Sequence, residues 1–136
     1  MHLAKHCAIA ATGALALTGL AVAADLTEAQ LKEMFVGKTV YVETLAGTST
    51  GAQGQGMIFY APDGMAHFKT PKGELWQGKY TIKGNELCTD WKQMPNNPCS
   101  RYDKQGDTIN IVNVATKQAR AKVAKTAPGN PEKLGQ

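Results

Sequence analysis

Alternating hydrophobic and polar residues run through most of the chain and predict β-strands. The alternation is clear at 38–44, where Val40 and Val42 fall on one side and Thr39 and Tyr41 on the other. A period of two places successive side chains on opposite faces of a strand, so that one face can enter a core. Further strands are predicted at 57–60, 65–70, 75–82, 86–91, 99–102 and 108–114.

Short turns separate these segments. In Ala61-Pro62-Asp63-Gly64, proline stands second and glycine fourth, which is favourable chemistry for a type I turn. Lys83-Gly84-Asn85 and Lys104-Gln105-Gly106-Asp107 also have turn composition. Residues 46–56 contain no large side chain, and we expect a flexible loop or an irregular hairpin end there.

The segment 116–126 fits either a helix or a strand. Its composition is helix-forming, but alanine and valine alternate with polar residues, and we predict a strand because a barrel of short strands needs one more to close its edge. The segment also carries a cationic stripe. Anionic lipid or polymer could bind there, but we predict a solvated edge strand protected by its positive charges: Lys117, Arg120, Lys122 and Lys125.

A short helix precedes the strands. Thr27 and Gln30 have capping-box spacing, apolar residues up to Phe35 fall on one helical face, and Gly37 ends the helix. The predicted fold is all-β: a small antiparallel up-and-down barrel or sandwich of seven to eight strands, with the N-terminal helix plugging one end.

The first 24 residues have the composition of a signal peptide. Lys5 supplies a positive charge, an apolar run follows, and Ala21-Val22-Ala23-Ala24 offers the small residues that signal peptidase accepts. The alternative is an uncleaved anchor, but much of the run is only Ala, Gly or Thr. We therefore predict cleavage near Ala23 or Ala24, export to the periplasm or medium, no stable membrane anchor, a domain at 25–127 and a tail at 128–136.

The size and net charge of the chain further limit the class of protein to which it can belong. Without residues 1–24, the 136-residue chain has 112 residues, which suits one domain with a modest core. Its 15 Lys and Arg fall to 14 when Lys5 leaves, against 11 Asp and Glu, which gives a net charge of +3. So small a charge argues against a dedicated nucleic-acid binder.

Two cysteines remain after removal of the signal peptide, which contains Cys7. An even pair in a small exported domain predicts a disulfide between Cys88 and Cys99. The alternative, a metal or redox pair, would need closer spacing or further ligands, and the sequence offers neither. We predict no metal and no cofactor.

Several turns and the cysteine pair occur together in this chain: Tyr60-Ala61-Pro62-Asp63-Gly64, Gly78-x-Tyr80-x-Ile82-x-Gly84-Asn85-x-Leu87-Cys88, Cys99 and Pro128-Gly129-Asn130-Pro131. In this order they resemble a group of small exported bacterial β-rich proteins of unassigned function. The resemblance covers nearly all of the mature chain, and its motifs are turns and a disulfide, which specify a fold and imply no catalytic residue.

The sequence contains no assembled catalytic motif. His67 is the only histidine of the mature chain, and a lone histidine on a strand is expected on the surface or in packing. Acidic residues on different strands could converge as in a glycoside hydrolase, although solvated positions are the better expectation. These residues are Glu74, Glu86, Asp90 and Asp103.

The remaining candidate site is a ligand pocket inside the barrel. Trp76 and Tyr80 share one face of a predicted strand, with Gly78 between them, and Trp91 lies on the next strand. Most such rings form the core of a small domain, but an incompletely filled barrel would leave room for a small ligand. We predict a non-enzymatic module that binds a small ligand or an envelope protein. The alternatives are an enzyme with convergent carboxylates and an inhibitor of an envelope-directed hydrolase.

Overall fold

A computed structural model describes residues 22–47, 53–94, 96 and 99–136. Most of the predicted signal peptide, with Cys7, lies outside these residues. No helix in the described part of the chain has the length and hydrophobicity needed to cross a bilayer. The elements are β1 (Ala24–Asp25), α1 (Glu28–Phe35), β2 (Lys38–Thr44), β3 (Gly54–Tyr60), β4 (Met65–Lys69), β5 (Leu75–Lys83), β6 (Glu86–Trp91), β7 (Cys99–Gln105), β8 (Thr108–Asn113) and β9 (Ala119–Pro128).

Strands β2 to β9 form a closed antiparallel barrel. Each strand pairs with its neighbours along the chain, and β9 pairs back with β2. The predicted all-β fold is therefore confirmed as an eight-stranded up-and-down barrel. The sequence pattern did not predict the two-residue strand β1. It pairs with Asp103 and Lys104 of β7, past Arg101, the last β7 residue that pairs with β6.

Strand β9 confirms one prediction and corrects another. Most of the ambiguous segment is a strand, as predicted, but it is not an edge strand because it pairs with β2 on one side and β8 on the other. The prediction that the cationic stripe is solvated is also wrong for Arg120, because its side chain lines the barrel interior. Full pairing of β9 leaves the exposed Lys122 and Lys125 on the outer surface.

Helix α1 closes one end of the barrel. The capping box is present: the Gln30 backbone N–H donates to the Thr27 hydroxyl (3.3 Å), and the Gln30 side chain accepts from the Thr27 N–H (2.9 Å). Leu31 and Phe35 are fully buried, and the Phe35 ring centroid lies 4.8 Å from that of Tyr102. The helix thus covers the end at which β3, β5, β7 and β9 finish.

The C-terminal segment, predicted as a tail, packs on the outside of the barrel. The Tyr41 hydroxyl donates to Glu132 (2.7 Å), and the Thr39 hydroxyl donates to the Gly129 carbonyl (2.8 Å). Leu134 is 6% exposed, and an added Cβ at Gly135 would clash with the His67 ring. Residues beyond Pro128 are therefore part of the folded domain.

The disulfide joins Cys88 of β6 to Cys99 of β7, as predicted. The two residues are directly opposite in the register, with Cα atoms 4.1 Å apart. Leu87 and Thr89, which flank Cys88, line the barrel interior, so the disulfide lies on the outer face. It therefore ties two neighbouring strands together without occupying space in the core.

Candidate functional site

The barrel interior contains a cavity of about 60 Å³. A single water needs roughly 10–15 Å³ by the same measure, so the cavity has room for a few waters or a short organic molecule. Thr44 and Met94, which lie at or beyond the ends of β2 and β6, are among its lining residues. The cavity therefore extends towards the end of the barrel opposite α1.

Three aromatic rings form one wall of the cavity. Phe68 lies edge-on to Trp76, with ring centroids 5.8 Å apart, and 5.7 Å from Trp91. The two indole rings are 6.4 Å apart. These are the only two tryptophans of the chain. Of the residues predicted as a pocket, the structure brings Trp76 and Trp91 together at the cavity.

Gly78 and Tyr80, the other two predicted pocket residues, have packing positions outside the cavity lining. A Cβ at Gly78 would lie 2.2 Å from the Asp90 carbonyl oxygen, because the β5 and β6 backbones approach closely there. The Tyr80 hydroxyl donates to the Ala61 carbonyl (2.7 Å), and its ring packs edge-on against Tyr60. The missing side chain at Gly78 thus leaves space for the backbone of β6 and not for a ligand. Tyr80 lies nearer the end of the barrel that α1 closes.

Arg120 is the cavity residue that the sequence pattern missed. Ala121 pairs with Ile111 and Ala119 with Val112, so Arg120 is the additional residue of a β-bulge. A bulge changes the direction in which a side chain points, and here both Arg120 and Ala121 line the cavity. The Arg120 guanidinium donates a hydrogen bond to the hydroxyl of the fully buried Ser100.

Tyr60 and Tyr102 complete the polar part of the lining. Their hydroxyls hydrogen-bond to each other, and burial raises the pKa of both, well above the ordinary value for Tyr60. The positive charge of Arg120 opposes this rise in the pKa of both phenols. Among the described residues, every buried side-chain nitrogen and oxygen has a hydrogen-bond partner.

The four tyrosines of the chain predict a late alkaline titration. Burial raises the pKa of Tyr60, Tyr80 and Tyr102, and the hydrogen bond to Glu132 raises that of Tyr41. The unfolded chain ionises its tyrosines near pH 10, so the stability that these groups contribute is present below about pH 10 and is lost above it. We expect tyrosinate absorbance to rise above pH 10 together with loss of the circular dichroism of the barrel. Ionisation of half the tyrosines at pH 10 in an intact barrel would contradict this.

The acidic residues considered for catalysis do not line the cavity. Glu86 lies opposite Arg101, Asp90 opposite Lys79 and Asp103 opposite Asn110, while Glu74 is exposed before β5. Within the described ranges, one group of potential metal ligands is found, Glu86 with Cys88 and Cys99. Its two sulfurs are already joined in the disulfide.

His67 has a packing position on the outer face. Its ring stacks on Phe59 at a centroid distance of 6.4 Å and lies against Gly135 of the C-terminal segment. It borders an outer groove of about 420 Å³, which also contains Gln77 and Gln93. None of the four acidic residues considered for catalysis lines this groove.

Comparison of the chain with protein-family models, curated proteins and solved structures finds no match. No residue role is therefore carried over from another protein. The resemblance to small exported β-rich proteins stays a prediction.

Proposed function

We propose that this protein is a non-enzymatic small-ligand-binding protein of the cell envelope, and that its ligand occupies the barrel interior. The observation that carries the proposal is the cavity between the two tryptophans and Arg120. Eight-stranded barrels are just wide enough either to be filled by side chains or to hold one small ligand. In this barrel, the small residues Thr44, Thr89 and Ala121 lie at lining positions and leave volume unfilled.

An unfilled cavity has a cost in stability. At about 24 cal/mol per Å³, a cavity of 60 Å³ corresponds to roughly 1.4 kcal/mol of lost packing. A larger aliphatic side chain at Ala121 would recover part of that free energy. A ligand that fills the space would offset the same cost, which supports binding as the role of the cavity.

Export to the envelope is the second part of the proposal. Disulfides form and persist in oxidising compartments such as the periplasm, which agrees with the Cys88–Cys99 bond. Strand β1 begins at Ala24, next to the predicted cleavage site, so cleavage after Ala23 would leave the whole β1–β7 pairing intact. The N-terminal sequence of the purified protein tests this directly.

Tryptophan fluorescence tests ligand binding, since both indoles of the chain border the cavity. We expect a saturable change in emission when protein that has been unfolded, separated from small molecules and refolded is titrated with fractions of a small-molecule extract from the producing cells. Ala121→Leu fills the cavity and should abolish the change. Ala119→Leu, at an exposed position on the same strand, should retain it. No saturable change with any fraction, or an unchanged response in Ala121→Leu, would contradict the proposal.

A further inference from the structure

We propose that the ligand of the barrel is a short aliphatic carboxylate, bound through its carboxylate group by Arg120. This inference rests on the proposed function and names the chemical class of the ligand. The carboxylate would face the guanidinium, and the hydrocarbon part would lie against the wall formed by Phe68, Trp76 and Trp91.

The chain contains two arginines, and their environments differ. Arg101 lies outside the barrel and forms an ion pair with Asp25, with Nη1 and Oδ2 3.1 Å apart. Arg120 lies inside, and its hydrogen-bond partner is the neutral hydroxyl of Ser100. Neither of the two ion pairs found among the described residues involves Arg120.

The Arg120 side chain is half-buried, and a half-buried positive charge is less favourable when no negative charge lies beside it. A hydroxyl can accept a hydrogen bond from the guanidinium, but it carries no charge to balance it. No aspartate or glutamate of the described residues lines the cavity. The missing negative charge can therefore be supplied by a bound anion, for which Arg120 has further N–H donors to offer.

The geometry and size of the site favour a small monocarboxylate. The planar guanidinium fork matches the two oxygens of a carboxylate, and one cation balances one negative charge, whereas a phosphate dianion would keep an excess charge. The cavity measures about 60 Å³ and extends towards the end of the barrel opposite α1. A short, flexible aliphatic chain can extend in this direction.

Three probes of similar shape distinguish binding through the carboxylate charge from binding through the hydrocarbon chain: butyrate, butyramide and 1-butanol. The probes are titrated into full mature protein that has been unfolded, separated from small molecules and refolded, and binding is followed by tryptophan fluorescence. Butyrate is expected to bind at least about tenfold more tightly than either neutral probe, since hydrogen bonds to a charged group are stronger. Arg120→Gln should reduce butyrate affinity to the level of butyramide. Lys122→Gln removes the same charge from an exposed position on β9 and should leave the preference unchanged.

The variant Arg120→Lys keeps the experiment decisive if Arg120→Gln does not fold. It retains the charge but loses the planar fork, so butyrate should bind more weakly than to the wild type yet more tightly than butyramide. Equal affinities for butyrate, butyramide and butanol would overturn the carboxylate assignment while leaving a binding barrel. Failure of all three probes, with a saturable response to the cell extract, would also overturn it and leave the proposed function standing. If the extract also gives no response, the proposed function fails.

Discussion

Reduction of the Cys88–Cys99 disulfide is expected to lower the melting temperature by about 8–24 °C. The two cysteines are 11 positions apart in the sequence. Closing so short a loop restricts the unfolded chain and contributes about 2–3 kcal/mol to the free energy of unfolding. At about 4–8 °C per kcal/mol for a domain of this size, the loss falls in that range. Thermal unfolding followed by circular dichroism, with and without a reductant, provides the measurement.

The matched control for reduction is the double variant with Cys88→Ser and Cys99→Ser. Its melting temperature should equal that of the reduced protein and should not respond to the reductant. A wild-type melting temperature that is the same before and after reduction would show that the bond does not stabilise the barrel. Detection of two free thiols in protein isolated from the envelope would show that the disulfide does not form there.

Replacement of Gly78 by alanine is expected to destabilise the barrel by about 3 kcal/mol, at the upper end of the usual cost of overpacking. The added Cβ would lie 2.2 Å from the Asp90 carbonyl oxygen and 2.9 Å from the Trp91 Cα. Both are backbone atoms of β6, so β5 and β6 would have to separate and weaken their hydrogen bonds. Urea unfolding measures the change, and altered near-ultraviolet circular dichroism should report the displaced Trp91.

Gly56→Ala is the comparison for Gly78→Ala. Its Cβ would meet the Phe68 ring first, at 2.7 Å, and an aromatic side chain can move more easily than a paired strand. We expect a loss of about 1–2 kcal/mol for this variant. Neither glycine has a positive φ, and both lie in strands. The loss of stability in each variant therefore reports how closely the added Cβ is packed and not a strained backbone conformation. A Gly78→Ala protein as stable as Gly56→Ala would contradict the close approach of β5 and β6.

Local alternation and turn chemistry predicted most of the barrel, because each of these signals depends on only a few neighbouring residues. The features that were missed depend on contacts far apart in the sequence. Strand β1 has two residues, too few to alternate, and exists through its pairing with β7. The C-terminal segment has no periodic pattern, and it is held by contacts such as the Tyr41–Glu132 hydrogen bond.

The candidate site was predictable only in part, for a related reason. The face of β5 that enters the barrel could be read from its alternation, which identified Trp76 and Tyr80. How far along the barrel the cavity extends depends on the depth of helix α1, and Tyr80 lies near that helix, not in the cavity lining. Arg120 was missed because alternation places it on the polar face, and the bulge that turns it inward is a property of the β8–β9 register.

Native mass spectrometry of mature protein purified gently from the cell envelope tests the central claim, a ligand in the barrel, most directly. We expect one small molecule bound per barrel, and we expect Ala121→Leu, prepared in the same way, to carry none. Ala119→Leu should carry the same molecule as the wild type. A wild-type protein that emerges bare, and stays bare after incubation with the cell extract, would contradict binding in the barrel interior.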